Sequence, residues 1–188
     1  VRMRVLVAIT GASGAIYARQ AVEMLIANDS VEAIGVICSD NAPDVLKAEG
    51  VTLPTSTKIA YFANDDMWSS AASGSSRWDA MLIIPASMGT CGRIAAGISR
   101  TLIERAADVM LKERRRLVVV VREAPYSLIH LRNMVTLTEA GAVVIPASPS
   151  FYSHPTTIEE AATTIVERVM DLSGVEQAAH RFEGREGK

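Results

Sequence analysis

Val5-Leu6-Val7-Ala8-Ile9-Thr10-Gly11-Ala12-Ser13-Gly14-Ala15 decides the fold. Five aliphatic residues in succession, with no polar alternation, read as a strand covered on both faces. The switch to small residues ahead of a helix-period segment reads as a strand-to-helix turn. Small side chains there let a ligand approach the backbone, while free N–H groups and the helix dipole favour an anion. A dinucleotide loop requires a third glycine in the G-x-G-x-x-G spacing, but Tyr17 and Ala18 follow instead and no Tyr-x-x-x-Lys pair is present. The turn therefore favours a mononucleotide. A plain tight turn with Ser13 as N-cap is the other reading.

Outward from this turn, Val/Ile/Leu/Ala runs recur at 4–9, 33–38, 80–84, 117–121 and 142–145. Helical spacing fills 14–28, 42–49, 90–114 with a candidate break near Gly97, 127–140 and 157–173. Strand alternating with helix predicts one α/β domain, a three-layer, doubly wound parallel sheet of the Rossmann-like or flavodoxin-like kind. In the second half of the 90–114 span, Asp108 and Lys112 have the spacing of a favourable i, i+4 pair, and Arg105, Asp108 and Lys112 form a stripe. Arg114 to Arg116 read as a solvated helix end. The stretch 50–79, rich in Thr, Ser, Pro and Asn, interrupts the rhythm and predicts a long loop carrying Trp68 and Trp78. Residues 1–174 make the domain; 175–188, with Arg181 and Phe182, are a polar tail, either frayed or docked on a neighbouring subunit.

Composition narrows the function. A length of 188 residues with 49% hydrophobic and 21% charged residues suits a single buried core, and no apolar run approaches the ~20 residues a bilayer requires. After Arg2 and Arg4 the chain enters a strand with no small-residue cleavage site, so a soluble, cytoplasmic protein is expected. Two cysteines, Cys38 and Cys91, read as free thiols of a reducing compartment. A net charge of -2 gives no electrostatic reason to expect nucleic acid.

Polar residues collect where strands end. Ser39-Asp40-Asn41 follows the second strand, and Pro85-Ala86-Ser87-Met88-Gly89-Thr90 follows the run ending at Ile84. Carboxyl ends of strands line the ligand crevice in an open α/β sheet, so Ser13, Ser39, Ser87 and Thr90 can converge there; each can also simply cap a helix. Val121-Arg122-Glu123-Ala124-Pro125 runs a buried strand into two charges, which need partners. Arg122 suits a phosphate or an electron-rich ring and Glu123 a proton transfer, unless the two merely pair with each other. Phe151-Tyr152 in a proline-bounded loop, and Arg168 beyond it, can hold a second phosphate. None of His130, His154 and His180 has a metal-ligand partner at the right spacing.

Together with Ala72-Ser73-Gly74-Ser75, the stretch from Arg105 to Arg114 and His130-Leu131-Arg132-Asn133-Met134, these motifs occur in an order that resembles the UbiX family of flavin prenyltransferases over nearly the whole chain. The resemblance implies a trimer-based homododecamer that binds FMN between subunits, joins a dimethylallyl group to N5 and C6 of reduced FMN, and makes prenylated FMN for a UbiD-type decarboxylase, without a metal. By position it implies FMN contacts from Gly11, Ala12, Ser13, Ser39, Ser87, Met88, Gly89, Thr90 and Arg122. Lys112, Arg122, Tyr152 and Arg168 would hold dimethylallyl phosphate, and Glu123, Glu49, Ser13 and Lys112 would act in catalysis. Ala86 stands where a cysteine is frequent, Ala18 where a glycine is common, and Phe182 where a tryptophan is usual. An FMN-dependent cysteine decarboxylase would need a histidine in the first third of the chain, and all three come later. A flavin carrier without transferase activity would not need the charged cluster.

Overall fold

A computed structural model describes residues 2–175. It contains six parallel strands, β1 (Met3–Ile9), β2 (Val31–Cys38), β3 (Ile59–Phe62), β4 (Ala80–Ala86), β5 (Arg116–Val121) and β6 (Val143–Pro146), in the order β3-β2-β1-β4-β5-β6. The helices are α1 (Ala15–Ala27), α2 (Ala42–Ala48), α3 (Met88–Ala95), α4 (Leu102–Lys112), α5 (Leu128–Glu139) and α6 (Ile158–Ser173). The chain winds outward from β1 to β3, then returns beside β1 as β4 and winds the other way. The direction therefore switches between β1 and β4, where an open sheet leaves a crevice.

The uninterrupted apolar runs are explained by two cores. In β1, Val5, Val7 and Ile9 face the layer of α1 and α6 with Val22, Leu25, Val166 and Val169, while Leu6 and Ala8 face the layer of α3 and α4 with Cys91, Ile103 and Met110. Both faces of β4 are buried throughout. Each such Val, Leu or Ile contributes about 1.5–3 kcal/mol. Helix starts are fixed by reciprocal caps: Thr101 with Glu104 on α4, Ser127 with His130 on α5 and Thr157 with Glu160 on α6. His130 is thus occupied as a cap.

The fold departs from the sequence expectations at three places and realises the candidate break near Gly97 at a fourth. Residues 50–79 are not one loop: they supply the edge strand β3 and two single 3-10 turns, Ser70–Ala72 and Gly74–Ser76. Within them Trp78 is buried, edge-on to Phe62, beneath the Arg4 guanidinium and donating to Ser70 Oγ, while Trp68 is exposed. The helical span 90–114 divides into α3 and α4, because Gly97 adopts φ 73° and Thr101 starts a new cap. Asp108 pairs with Arg105 at 2.7 Å, not with Lys112, whose partner is Glu113. Finally, Arg115 donates to Gly74 O and Trp78 O, and Arg116 to Ser173 O, so these two cations bind loops rather than only water. The tail from 176, with His180, Arg181 and Phe182, lies outside the described residues.

Candidate active site

The first wall of the crevice is the turn 10–15. Thr10 Oγ1 donates to Pro85 O at 2.6 Å and accepts from Ser87 N–H at 2.9 Å, which ties the tip of β1 to the tip of β4. Gly14 has φ 119°, a conformation that side-chain-bearing residues rarely adopt, and a Cβ there would meet Tyr17 at 2.8 Å. With no capping side chain at Gly14, the helix start is closed by Glu49, just after α2. Its carboxylate accepts from Gly14 N–H at 3.0 Å and from Ala15 N–H at 2.8 Å. The carboxylate occupies the place that a helix N-terminus offers to an anion.

Glu49 is held below the ordinary glutamate range. Partial burial pushes its pKa up, but bonds from Ser13 Oγ and the Ala15 and Gly14 N–H groups, with the Arg122 guanidinium nearby, outweigh it. Ser13 is therefore not the N-cap; its hydroxyl serves Glu49. Arg122, at the carboxyl end of β5, is near enough to help lower this carboxylate's pKa and, among the described residues, forms no ion pair with Glu123, whose Oε1 accepts from the Ala124 N–H at 3.1 Å. Tyr17 completes this side: burial raises its phenol above its ordinary range, and Arg122 partly opposes that.

Opposite stands the turn leading into α3. Ser87 Oγ caps α3 by accepting from Thr90 N–H, and lies 2.9 Å from Thr90 Oγ1. Ser39 follows β2 in a cleft of about 430 Å³ shared with Asp40, Asn64, Arg100 and Thr101. Its Oγ is buried and has no hydrogen-bond partner among the described residues. Orphaned buried hydroxyls are uncommon in folded proteins. At Gly11 a Cβ would come within 2.8 Å of Asn41, so the crevice floor has no room for a side chain. A buried donor without a partner, backbone stripped of side chains and a cation at the rim fit a flavin mononucleotide, whose ribityl and phosphate oxygens need such donors.

The chain itself brings together Gly11, Ala12, Ser13, Ser39, Glu49, Ser87, Met88, Gly89, Thr90, Arg122 and Glu123, all at or beside the carboxyl ends of β1, β2, β4 and β5. Two expected residues lie elsewhere. Lys112 ends α4 ahead of β5, whereas Arg122 follows β5; six strand residues separate them by about 20 Å. Arg168, 63% exposed and 3.9 Å from Asp171, sits in the last turns of α6, whose end meets Arg116 at the foot of β5. Tyr152 stands in the exposed loop after β6.

A pair not singled out in the sequence lies under the α3 turn. Glu104, 2% exposed, accepts from Arg93 Nε at 2.5 Å and from the Arg100 and Thr101 N–H groups. Its pKa is lowered because these donors outweigh the burial that would raise it. Glu104 at the third position of a capping box is visible in the sequence; its bond to Arg93, eleven residues away, is not.

The Flavoprotein family model matches residues 1–174. A flavin prenyltransferase UbiX of Methanocaldococcus jannaschii is 41% identical over 179 residues, covering 94% of this chain and 96% of that protein. The chain belongs to the flavin prenyltransferase family. A second member, UbiX of Thermoplasma acidophilum, is 43% identical over 92% of the chain and 96% of its own length. Among solved structures, AnUbiX (PadA1) in complex with FMN and dimethylallyl pyrophosphate superposes with a TM-score of 0.87 at 38% identity, covering 99% of this chain and all of that one. A dodecameric FMN-dependent UbiX-like decarboxylase from Escherichia coli O157:H7 gives a TM-score of 0.89 at 36% identity, covering 97% and 100%. No group of three His, Cys, Asp or Glu among the described residues is placed to hold a metal ion, and no helix among them is long and apolar enough to cross a membrane.

Proposed function

We propose that this protein transfers a dimethylallyl group from dimethylallyl phosphate to N5 and C6 of reduced FMN, making prenylated FMN for a UbiD-type decarboxylase in the cytoplasm. One observation carries the reading: in a chain 41% identical to a flavin prenyltransferase, Ser13, Glu49 and Arg122 converge on the switch point between β1 and β4. Residues 1–174 are the FMN-binding domain. Gly11, Ala12, Ser13, Ser39, Ser87, Met88, Gly89, Thr90 and Arg122 hold the flavin.

Reduced FMN supplies two nucleophilic atoms, N5 and C6. The protein supplies charge and position. A monophosphate leaves only where fixed cations meet its developing charge, and Arg122, Lys112 and Arg168 provide them without magnesium. Tyr152 adds a hydroxyl donor. Glu123, beside Arg122, would carry the proton that the olefin carbon gains and C6 gives up when the ring closes. Glu49 keeps Ser13 oriented toward the same space.

Since Lys112 and Arg168 stand at the far end of the sheet from Arg122, they reach the phosphate only from neighbouring copies, as in a trimer-based dodecamer. The exposed apolar side chains of Leu128, Ile129 and Val135 on α5 are suited to such a contact.

Anaerobic incubation of the protein with reduced FMN and dimethylallyl phosphate, followed by mass analysis of the extracted flavin, is the test. A gain of one C5 unit is expected; unchanged mass from a protein that retains FMN would make it a carrier instead.

A further inference from the structure

The Arg93 guanidinium lies against the α3 turn. Its Nη2 is 3.5 Å from Thr90 Oγ1, its Nη1 is 3.3 Å from where a Gly89 Cβ would be, and its Nε is fixed by Glu104. Arginine only donates, so Thr90 Oγ1 accepts from it, and the same oxygen lies 2.9 Å from Ser87 Oγ. Ser87 Oγ also accepts the Thr90 N–H, so the two hydroxyls and the guanidinium form one cluster at the start of α3. The side chain of Arg93 is 49% exposed, whereas its partner carboxylate is 2% exposed. One edge of the guanidinium is thus spent on Glu104, and the other lies beside Gly89 and Thr90 of the α3 turn. Arg100 and Thr101, whose N–H groups hold Glu104, also wall the cleft that contains the orphaned Ser39 Oγ.

Resting on the flavin-binding reading above, we infer that Arg93 is a further FMN-binding residue, a cation that Glu104 positions beside the Ser87–Thr90 turn to meet the FMN phosphate. Two features mark an anion subsite there: the N-terminus of an eight-residue helix and a guanidinium held at its first turn. The bond to Glu104 fixes the fork in place, so little side-chain entropy is lost when the anion arrives.

The test measures binding of FMN and of riboflavin, which lacks the phosphate, by flavin fluorescence and without any prenyl donor. Failure of transferase activity would leave this measurement untouched. Removing Arg93 alone would strand a buried carboxylate, so the comparison is Arg93→Met/Glu104→Gln against Glu104→Gln. The double variant should bind FMN about tenfold more weakly, with riboflavin unchanged. Equal losses for both ligands, or no loss for FMN, would overturn the assignment. Arg93→Lys keeps a charge for Glu104 but lacks the rigid planar fork that holds a second edge toward the turn. Its FMN affinity should fall severalfold with riboflavin again unaffected, and an unchanged preference would equally defeat the proposal should the double variant not fold.

Discussion

Glu49 closes the N-terminus of α1 over Ala15, its Oε2 accepting that residue's N–H at 2.8 Å. Across the crevice, Arg122 adds to the forces that depress its pKa. A carboxylate whose folded pKa lies below its unfolded value stabilises the fold fully above the unfolded value, about 4.3. The contribution disappears as pH falls through the depressed folded value. Glu49→Gln should therefore cost a modest amount at pH 7, no more than about 0.5 kcal/mol for so exposed a group. The gap from wild type should narrow as the pH is taken below the ordinary glutamate value, read from urea midpoints across a pH series. Product formation should fall about tenfold as Ser13 loses its charged partner.

Substituting Glu123 with Gln leaves size and shape in place and removes the base. The variant should still bind FMN, while the rate of C5 addition drops on the order of 10²-fold. Time courses of extracted flavin mass decide this, and equal rates would remove the residue from proton transfer.

Lys112→Met and Arg122→Met should each abolish most product formation. When the two variants are co-expressed as mixed oligomers, some sites receive Lys112 from one copy and Arg122 from another. Activity absent from either parent should reappear in the mixture; its absence would mean that both cations belong to one chain's site.

Cys91 is buried, and its thiol pKa is pushed up to about 12, chiefly by burial. At pH 8 only roughly one molecule in 10⁴ carries the thiolate that alkylating reagents attack. Native protein should spare Cys91 under iodoacetamide, as peptide mapping would reveal, and urea should expose it.

Replacing Gly14 with Ala forces a side chain into φ 119° and against Tyr17. A loss of about 1–3 kcal/mol is expected from denaturant midpoints, with FMN affinity falling alongside it.

Parallel topology was legible because β1, β4 and β5 are buried on both sides, and such strands have no polar alternation to confuse them with surface strands. β3 was not legible. With Ala60 and Tyr61 exposed at the sheet edge, its four residues lack the continuous apolar signature of the inner strands. The Ser39, Ser87 and Arg122 positions could be read since strand ends in this architecture point to one crevice. Which partner each would choose could not: Arg122 sits beside Glu123 in sequence, yet its charge acts on Glu49. The Arg93 and Glu104 pair escaped for the same reason, as it links two helices whose separation at Gly97 sequence periodicity left open.

β5 places Lys112 at its foot and Arg122 at its head, so no bending of a single chain encloses one leaving group with both. Under the proposed assignment of these two cations, turnover would belong to an assembly of copies and not to the folded protomer. On dilution, catalysis should fade while circular dichroism still reports an intact sheet, which makes subunit concentration a built-in throttle on the release of reactive allylic species.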